Sequence, residues 1–201
     1  MVVIGLTGGI GTGKSEVARV LAGLGAAWIS VDELGHQAYR PHTVTWRQVV
    51  EAFGKRILSP GGKINRQVLG AIVFSDPAAL GKLNRIMFPA LFELATTEIA
   101  RREAEGDDII ILEAALLIEA GWTDLVDEIW VTVAPEKDVV SRLMARNQLA
   151  YDDAISRVRS QLSDADKVIH ATAVIENFGS LKDLCSRAGE IWDERILSRK
   201  G

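Results

Sequence analysis

The chain has 201 residues, of which 48% are hydrophobic and 25% are charged, and its formal net charge is −4. This composition is typical of one globular unit with a modest insertion, and the acidic balance argues against a general nucleic-acid-binding protein. No apolar run approaches the length of a membrane span, and the single cysteine, Cys185, fits a reducing compartment. We therefore expect a cytoplasmic protein that binds neither nucleic acid nor membrane.

A glycine-rich segment lies between the first predicted strand and the first predicted helix. Residues 1–7 form an apolar run rich in β-branched residues, as in a buried parallel strand, and apolar residues recur at helical spacing over residues 16–24. The segment between them, GGIGTGKS at residues 8–15, matches the phosphate-binding P-loop pattern G-x-x-x-x-G-K-[ST]. An ordinary glycine turn between a strand and a helix is the alternative interpretation.

The residue types of this segment suit a polyphosphate such as ATP. Glycines let backbone N–H groups approach phosphate oxygens, and the following helix points its positive end at the same place. We expect Lys14, on the surface side of the loop, to reach the β- and γ-phosphates, and the Ser15 hydroxyl to hold Mg²⁺. The predicted nucleotide-binding residues of this region are Gly8, Gly9, Ile10, Gly11, Thr12, Gly13, Lys14, Ser15 and Glu16.

An acidic residue, Asp32, follows the second predicted strand. That strand is predicted at residues 26–30, and a helix follows before Pro41. Ligands of parallel sheets bind at the carboxyl ends of the strands, which favours a functional Asp32. An aspartate at this position can also be a plain helix N-cap, and position alone leaves both interpretations open.

The stretch from residue 41 to residue 105 contains helical patterns and no strand between them. Asn65 is predicted to cap one of these helices. Consecutive helices break the β-α-β rhythm of the chain, so we predict an inserted helical subdomain at residues 41–105. The four helices are predicted at residues 44–53, at residues 66–74, from Pro77 onward, and at residues 88–102.

A second acidic residue, Glu113, ends the third predicted strand. Residues 108–112 have the apolar pattern of a buried strand, so Glu113 would stand at its carboxyl end. A carboxylate there could share Mg²⁺ with Ser15, whereas a solvated strand end is the alternative. Residues 127–133 and 173–175 predict the fourth and fifth strands.

Arginines cluster on two helices predicted after the fourth strand. The planar fork of an arginine meets phosphate oxygens in pairs, and in P-loop kinases such a helical hairpin forms a lid over the transferring phosphate. A solvated helix face is the better interpretation of any single arginine, but the cluster as a whole indicates a function beside a P-loop. Its members are Arg142, Arg146, Arg157 and Arg159.

Over residues 3–184 the sequence resembles the dephospho-CoA kinase family. The resemblance rests on the P-loop, on Ile29-Ser30-Val31-Asp32 where the family has an Ile-Asp-Ala-Asp run, and on Leu116-Leu117-Ile118-Glu119. It extends to Gln161, Lys167 and residues 174–181, which are similar to the C-terminal signature of the family. The chain departs from the family pattern at Ser30, Phe88, Ala115 and Asn147, where the family has Asp, His, Pro and Asp.

The resemblance implies an α/β P-loop NTPase fold, with a five-stranded parallel sheet flanked by helices. It implies one kinase domain, with a core at residues 1–40, 106–145 and 166–201, a helical acceptor-binding subdomain at 41–105, and a lid at 146–165. Its activity would be ATP-dependent phosphorylation of the ribose 3′-hydroxyl of dephospho-CoA, by a monomer or a weak homo-oligomer.

The resemblance also implies roles for individual residues. Asp32 would be the catalytic base, and Lys14 and Arg146 would act on the transferring phosphoryl group. The remaining implied contacts are Arg142, Arg157 and Asn177 with the nucleotide, and Ser15 and Glu113 with Mg²⁺.

Two other functions are weighed against this one. A nucleoside or nucleoside-monophosphate kinase would use the same chemistry on a different acceptor. A nucleotide-binding switch protein belongs to a different class, but the chain lacks the Asn-Lys-x-Asp guanine motif and its lid arginines suit a kinase.

Overall fold

The computed structural model describes residues 1–200, with side chains described through Ser198. Five strands and nine α-helices lie in these residues. In chain order they are β1 Val2–Gly8, α1 Lys14–Gly23, β2 Ala27–Ser30, α2 Val31–Ala38, α3 Val44–Phe53, α4 Arg66–Ser75, α5 Pro77–Ala104, β3 Ile109–Glu113, β4 Glu128–Val133, α6 Glu136–Asn147, α7 Tyr151–Arg159, α8 Asp164–Val168, β5 Ala173–Glu176 and α9 Leu181–Arg195.

The five strands form one parallel sheet in the order β2-β3-β1-β4-β5. All residues of β3 and β4 are buried, as expected of parallel strands covered by helices on both faces. The sheet belongs to a first compact unit, which comprises Met1–Ser30 and the described chain from Glu98 onward. The predicted five-stranded parallel sheet is therefore confirmed.

The strand register brings the carboxyl ends of the three central strands to one edge of the sheet. Leu6 of β1 pairs with Glu113 of β3, and Gly8 of β1 pairs with Thr132 of β4. Ligands of open parallel sheets bind beyond this edge. The predicted P-loop begins here, because Gly8 is the last residue of β1.

Helices α1 and α9 cover one face of the sheet. Leu6 and Trp130 of the sheet are fully buried in a cluster with Leu21 of α1 and with Ile191 and Trp192 of α9. Truncation of such a side chain to alanine typically destabilises a protein by about 2–5 kcal/mol. This core fixes the start of α1, and with it the end of the P-loop.

The second compact unit, Val31–Thr97, is helical and has its own core. Thr43 caps α3 by accepting a hydrogen bond from the Trp46 N–H, and the Asn65 side chain accepts from the backbone at the start of α4. The predicted Asn65 cap is therefore confirmed. The core of the unit includes Val49, Phe53, Ile57, Leu69, Val73 and Met87.

Two details of the helical region differ from the sequence-based prediction. Helix α5 runs without a break over 28 residues, so the prediction of two separate helices was wrong. Proline removes a hydrogen bond inside a helix, but Leu83, Met87 and Leu91 pack into one cluster on both sides of Pro89 and offset that loss. The compact unit also begins at Val31 and ends at Thr97, whereas the predicted subdomain was 41–105.

Helix α6, which ends where the predicted lid begins, packs against α7. Val139 and Leu143 of α6 are buried in a small cluster with Ala154 of α7. No helix in residues 1–200 is both long enough and apolar enough to cross a membrane.

Candidate functional site

The predicted P-loop joins the end of β1 to the start of α1 at Lys14. Two of its glycines are required by space as well as by backbone conformation. A Cβ on Gly8 would lie 2.3 Å from the Thr132 carbonyl oxygen, and a Cβ on Gly13 would lie 2.8 Å from Asn177 Nδ2. Both glycines have positive φ, of 141° and 103°, which other residues rarely adopt. Because these two positions carry no side chain, the loop can lie close to Thr132 and Asn177.

Buried polar contacts hold the loop in shape. Thr12 Oγ1 donates to the Gly9 carbonyl at 2.8 Å and lies 2.7 Å from Thr132 Oγ1, which in turn donates to the Thr7 carbonyl. Asn177 Nδ2 donates to the Thr12 carbonyl at 2.8 Å. The structure thus brings the predicted nucleotide residue Asn177 into contact with the loop, across a long sequence separation.

Lys14 is buried, with 8% of its surface exposed, so the expected surface-side position was wrong. Its ammonium donates to the Gly8 carbonyl at 3.0 Å and to the Gly9 carbonyl at 2.9 Å. A buried ammonium needs such partners because its desolvation is costly. The charge of Lys14 therefore lies across the loop that would surround the phosphates.

The two predicted magnesium ligands are in direct contact. Ser15 Oγ donates to Glu113 Oε1 at 2.7 Å, and Trp28 Nε1 donates to the other carboxylate oxygen at 3.0 Å. Glu113 is only 6% exposed, so its position is well fixed. Mg²⁺ in nucleotide sites usually takes one or two protein oxygens, and its other ligands are phosphate oxygens and waters. A hydroxyl and a carboxylate beside a P-loop fit that donor set.

One arginine of the predicted cluster touches the loop. Arg142 Nη1, from α6, donates to the Gly11 carbonyl at 3.1 Å. Arg146 is exposed one turn later and donates to the side chain of Asn147, and Arg157 on α7 is half-buried. The nucleotide contacts expected of Arg146 and Arg157 remain predictions.

Glu16 was predicted to contact the nucleotide, and in the structure it forms an ion pair with Arg19 on the same face of α1. Both side chains are exposed to solvent, so the pair contributes little to stability. This ion pair does not test the expected contact between Glu16 and the nucleotide, which remains a prediction.

Asp32 lies in the second compact unit, in the first turn of α2. The helix begins at Val31, so Asp32 does not occupy the residue before the helix where an N-cap stands. Within residues 1–198, no hydrogen bond or ion pair engages its exposed carboxylate. The structure therefore gives no support to the N-cap interpretation.

Sequence reasoning missed a segment that follows α7 and contacts the P-loop. Gln161 Oε1 accepts the Ile10 N–H at 2.8 Å, and Asp164 Oδ2 accepts the Ala134 N–H at the end of β4 at 3.2 Å. The only signal in the sequence was the resemblance of Gln161 to the family signature, because Gln161 and Ile10 are 151 residues apart.

Within this segment, the pKa of the Asp164 carboxyl is shifted by its surroundings. Burial raises the pKa of the Asp164 carboxyl above its usual value. The hydrogen bond from Ala134 and the charges of Lys167 and Lys14 act in the opposite direction without cancelling the effect. Asp164 lies beside the loop, because its Oδ1 is 3.6 Å from the place that a Cβ on Gly9 would occupy.

Lys167 was also unexpected, because a fully buried lysine is rare. Its ammonium donates to the Ala115 carbonyl at 3.1 Å and pairs with Glu119 Oε1 at 2.5 Å. The same carboxylate oxygen accepts the Leu162 N–H at 3.1 Å. These contacts tie the segment after α7 to the turn after β3.

The arrangement suits binding and transfer of a phosphoryl group. Backbone N–H groups of a glycine loop, a lysine ammonium, an arginine fork and a hydroxyl–carboxylate pair converge at one sheet edge. Phosphoryl transfer needs mainly positioning and charge stabilisation, which such groups supply.

Comparison with known proteins agrees with this chemistry. The family model described as "Dephospho-CoA kinase" matches residues 2–183. A dephospho-CoA kinase of Geobacter sulfurreducens is 43% identical over 196 residues, covering 98% of this chain and 100% of that protein. A crystal structure from Thermus thermophilus has a TM-score of 0.79 at 32% identity, covering 97% of both chains. The dephospho-CoA kinase of Campylobacter jejuni shares the fold, with a TM-score of 0.69 at 24% identity over 98% of both chains. The chain therefore belongs to the dephospho-CoA kinase family.

Proposed function

We propose that the protein transfers the γ-phosphoryl group of ATP to the ribose 3′-hydroxyl of dephospho-CoA, giving coenzyme A and ADP. The observation that carries the proposal is the P-loop of a chain that matches the family over residues 2–183. In that loop, the Lys14 ammonium lies across Gly8 and Gly9, and Ser15 contacts Glu113.

The residues of the first compact unit would bind ATP and offset charge on the phosphoryl group. Lys14 contacts the β- and γ-phosphates, and Arg142 approaches from the lid side of the loop. Ser15 and Glu113 would hold Mg²⁺, which would neutralise phosphate charge when bound. The predicted lid, residues 146–165, adds Arg146 and Arg157. Because Lys14, Ser15 and Arg142 are already held by hydrogen bonds, these groups need little reorganisation in the transition state.

The second compact unit would bind the acceptor. Asp32, in the first turn of α2, is exposed and has a carboxylate free to accept a proton. It would orient the 3′-hydroxyl and take its proton as the bond to phosphorus forms. Contacts along the pantetheine arm would lie on the remaining helices, and their binding energy would serve to orient the hydroxyl.

The proposal also covers the cellular location and the oligomeric state of the enzyme. A cytoplasmic location is supported by the single cysteine, Cys185, and by the use of ATP. We infer a monomer or a weak homo-oligomer, which light scattering of the purified protein would test directly.

The identity of the product tests this function. Purified protein with Mg-ATP and dephospho-CoA should give ADP and one product that carries one added phosphoryl group by mass spectrometry. Phosphorus NMR should show a 3′-phosphate monoester that matches authentic coenzyme A. Absence of the product, or phosphorylation at another position, would refute the proposal.

A further inference from the structure

Gln161 lies against the front of the P-loop. Its Oε1 accepts the Ile10 N–H at 2.8 Å and lies 3.9 Å from the place that a Cβ on Gly9 would occupy. A backbone N–H can only donate, so the atom that faces Ile10 must be the amide oxygen and not the amide nitrogen. This contact fixes the orientation of the whole side-chain amide.

The fixed orientation leaves the Nε2 group of Gln161 with both of its donors available. Within residues 1–198, no hydrogen-bond partner engages Nε2. Lys14 Nζ donates to the Gly9 carbonyl at 2.9 Å, so Lys14 and Gln161 contact adjacent residues of the loop. Lysine at this position of a P-loop reaches the β- and γ-phosphates. Gln161 therefore contacts the loop beside the carbonyl that Lys14 binds, where the γ-phosphate is expected.

The segment that carries Gln161 is held at the same sheet edge by further contacts. Asp164 accepts the Ala134 N–H at 3.2 Å, and the buried Lys167 pairs with Glu119 at 2.5 Å. A donor held in place by neighbouring contacts is preorganised and loses little free energy when it meets developing charge.

We propose that Gln161 is a catalytic residue, with Oε1 holding the Ile10 amide and Nε2 donating a hydrogen bond to the γ-phosphoryl group in transfer. This role rests on the proposed function. In the step, the bond between the γ-phosphorus and its bridging oxygen breaks, and the electron pair leaves with ADP. The bond to the acceptor oxygen forms, and the hydroxyl proton passes to Asp32. Gln161 neither gains nor loses a proton.

Two substitutions separate this role from a structural one. Gln161→Glu keeps an oxygen for the Ile10 N–H but replaces the Nε2 donors with a second anionic oxygen. Gln161→Ala removes both functions. We expect both variants to lose about tenfold to a hundredfold in kcat, as for one hydrogen bond to a charged group. Gln161→Glu should be at least as impaired as Gln161→Ala, because its carboxylate repels the phosphate. A purely structural role requires the opposite order, with Gln161→Glu close to the wild type.

The assay compares steady-state kinetics with dephospho-CoA and thermal unfolding for each variant. Leu162→Ala is the matched control, because it shortens the exposed side chain of the neighbouring residue. Its kcat should equal that of the wild type. A Gln161→Glu variant with at least half of the wild-type kcat would overturn the role of Gln161.

Failure of the proposed function is distinguishable from failure of this role. If the wild type does not phosphorylate dephospho-CoA, the proposed function is wrong. The contact of Gln161 with the phosphate is then tested by the ATP affinity of the variants, measured by calorimetry. Weaker ATP binding by Gln161→Glu than by Leu162→Ala would support a contact with the phosphate. Equal affinities would overturn it.

Discussion

The Lys14 ammonium holds the shape of the P-loop through two hydrogen bonds, and we propose that it also binds the phosphates. Replacement by alanine removes one preorganised donor, so we expect kcat to fall by about a hundredfold or more, on the order of 3 kcal/mol. The Gly8 and Gly9 carbonyls also lose their partner, so the melting temperature should fall as well. Lys137→Ala, at an exposed position of α6, is the control. Near-wild-type kinetics for Lys14→Ala would contradict the P-loop function.

The proposed role of Asp32 as the catalytic base can be tested by one substitution. Asp32→Asn keeps the shape but cannot accept a proton, so kcat should fall by about a hundredfold or more while KM for the acceptor changes little. Thermal unfolding should be unaffected, because no contact of the described residues holds this carboxylate. Unchanged kcat would show that Asp32 is not the base.

The raised pKa of Asp164 predicts a dependence of stability on pH. A carboxyl whose pKa is higher in the folded state binds more protons there than in the unfolded chain. Stability attributable to it therefore falls as pH rises from the unfolded value of 3.8 through the folded one. Asp164→Asn keeps an oxygen for the Ala134 N–H and removes the buried charge, so its melting temperature should exceed that of the wild type at pH 7. The difference should shrink as pH falls below about 4.

The matched control for that measurement is Asp193→Asn, at an exposed position of α9. It should show no such dependence on pH. A lower melting temperature for Asp164→Asn at pH 7 would mean that the ionised carboxylate stabilises the fold.

At the scale of elements, the lid arginines are expected to act on the transferring group more than on bound ATP. Arg146→Lys and Arg157→Lys keep the charge but lose the planar fork, so kcat should fall about tenfold while KM for ATP changes little. Arg187→Lys is the control on α9, because Arg187 lies outside the cluster and forms an exposed ion pair with Glu190. Equal activity of all three variants and the wild type would remove the lid assignment.

The elements differ in how far local sequence determines them. Helix α3 has the predicted bounds and α4 has its predicted cap, because apolar spacing and capping residues are local signals. The continuity of α5 through Pro89 was missed, because packing on both sides of the proline decides it. The positions of Ser15 and Glu113 at the sheet edge could be predicted, because Ser15 ends the P-loop motif and Glu113 ends an apolar strand pattern.

Other site contacts have no local signal. The hydrogen bond between Gln161 and Ile10 joins residues 151 positions apart, and only the folded chain brings them together. The burial of Lys167 depends on Glu119 and on the Ala115 carbonyl, which hydropathy alone cannot indicate. Lysine is rarely fully buried in proteins unless it is paired.

At the scale of the whole molecule, the chain divides its chemistry between two compact units. The proposed phosphate-binding residues belong to the first unit, and Asp32 with the helical region belongs to the second. A large helical unit is more than a small monophosphate acceptor requires. Remote contacts with a long acceptor could therefore be used to raise kcat as well as affinity. The chain departs from the family pattern at Ser30, Phe88 and Ala115, so acceptor specificity is the property to measure.

The most direct test measures kcat/KM for a panel of acceptors with Mg-ATP, using ADP release. The panel contains dephospho-CoA, AMP, CMP, UMP, dTMP and adenosine. We predict that dephospho-CoA exceeds every other acceptor by about a hundredfold or more, because the smaller acceptors lack the contacts that orient the hydroxyl. A monophosphate with a higher kcat/KM than dephospho-CoA would contradict the account and would identify the protein as a nucleotide kinase.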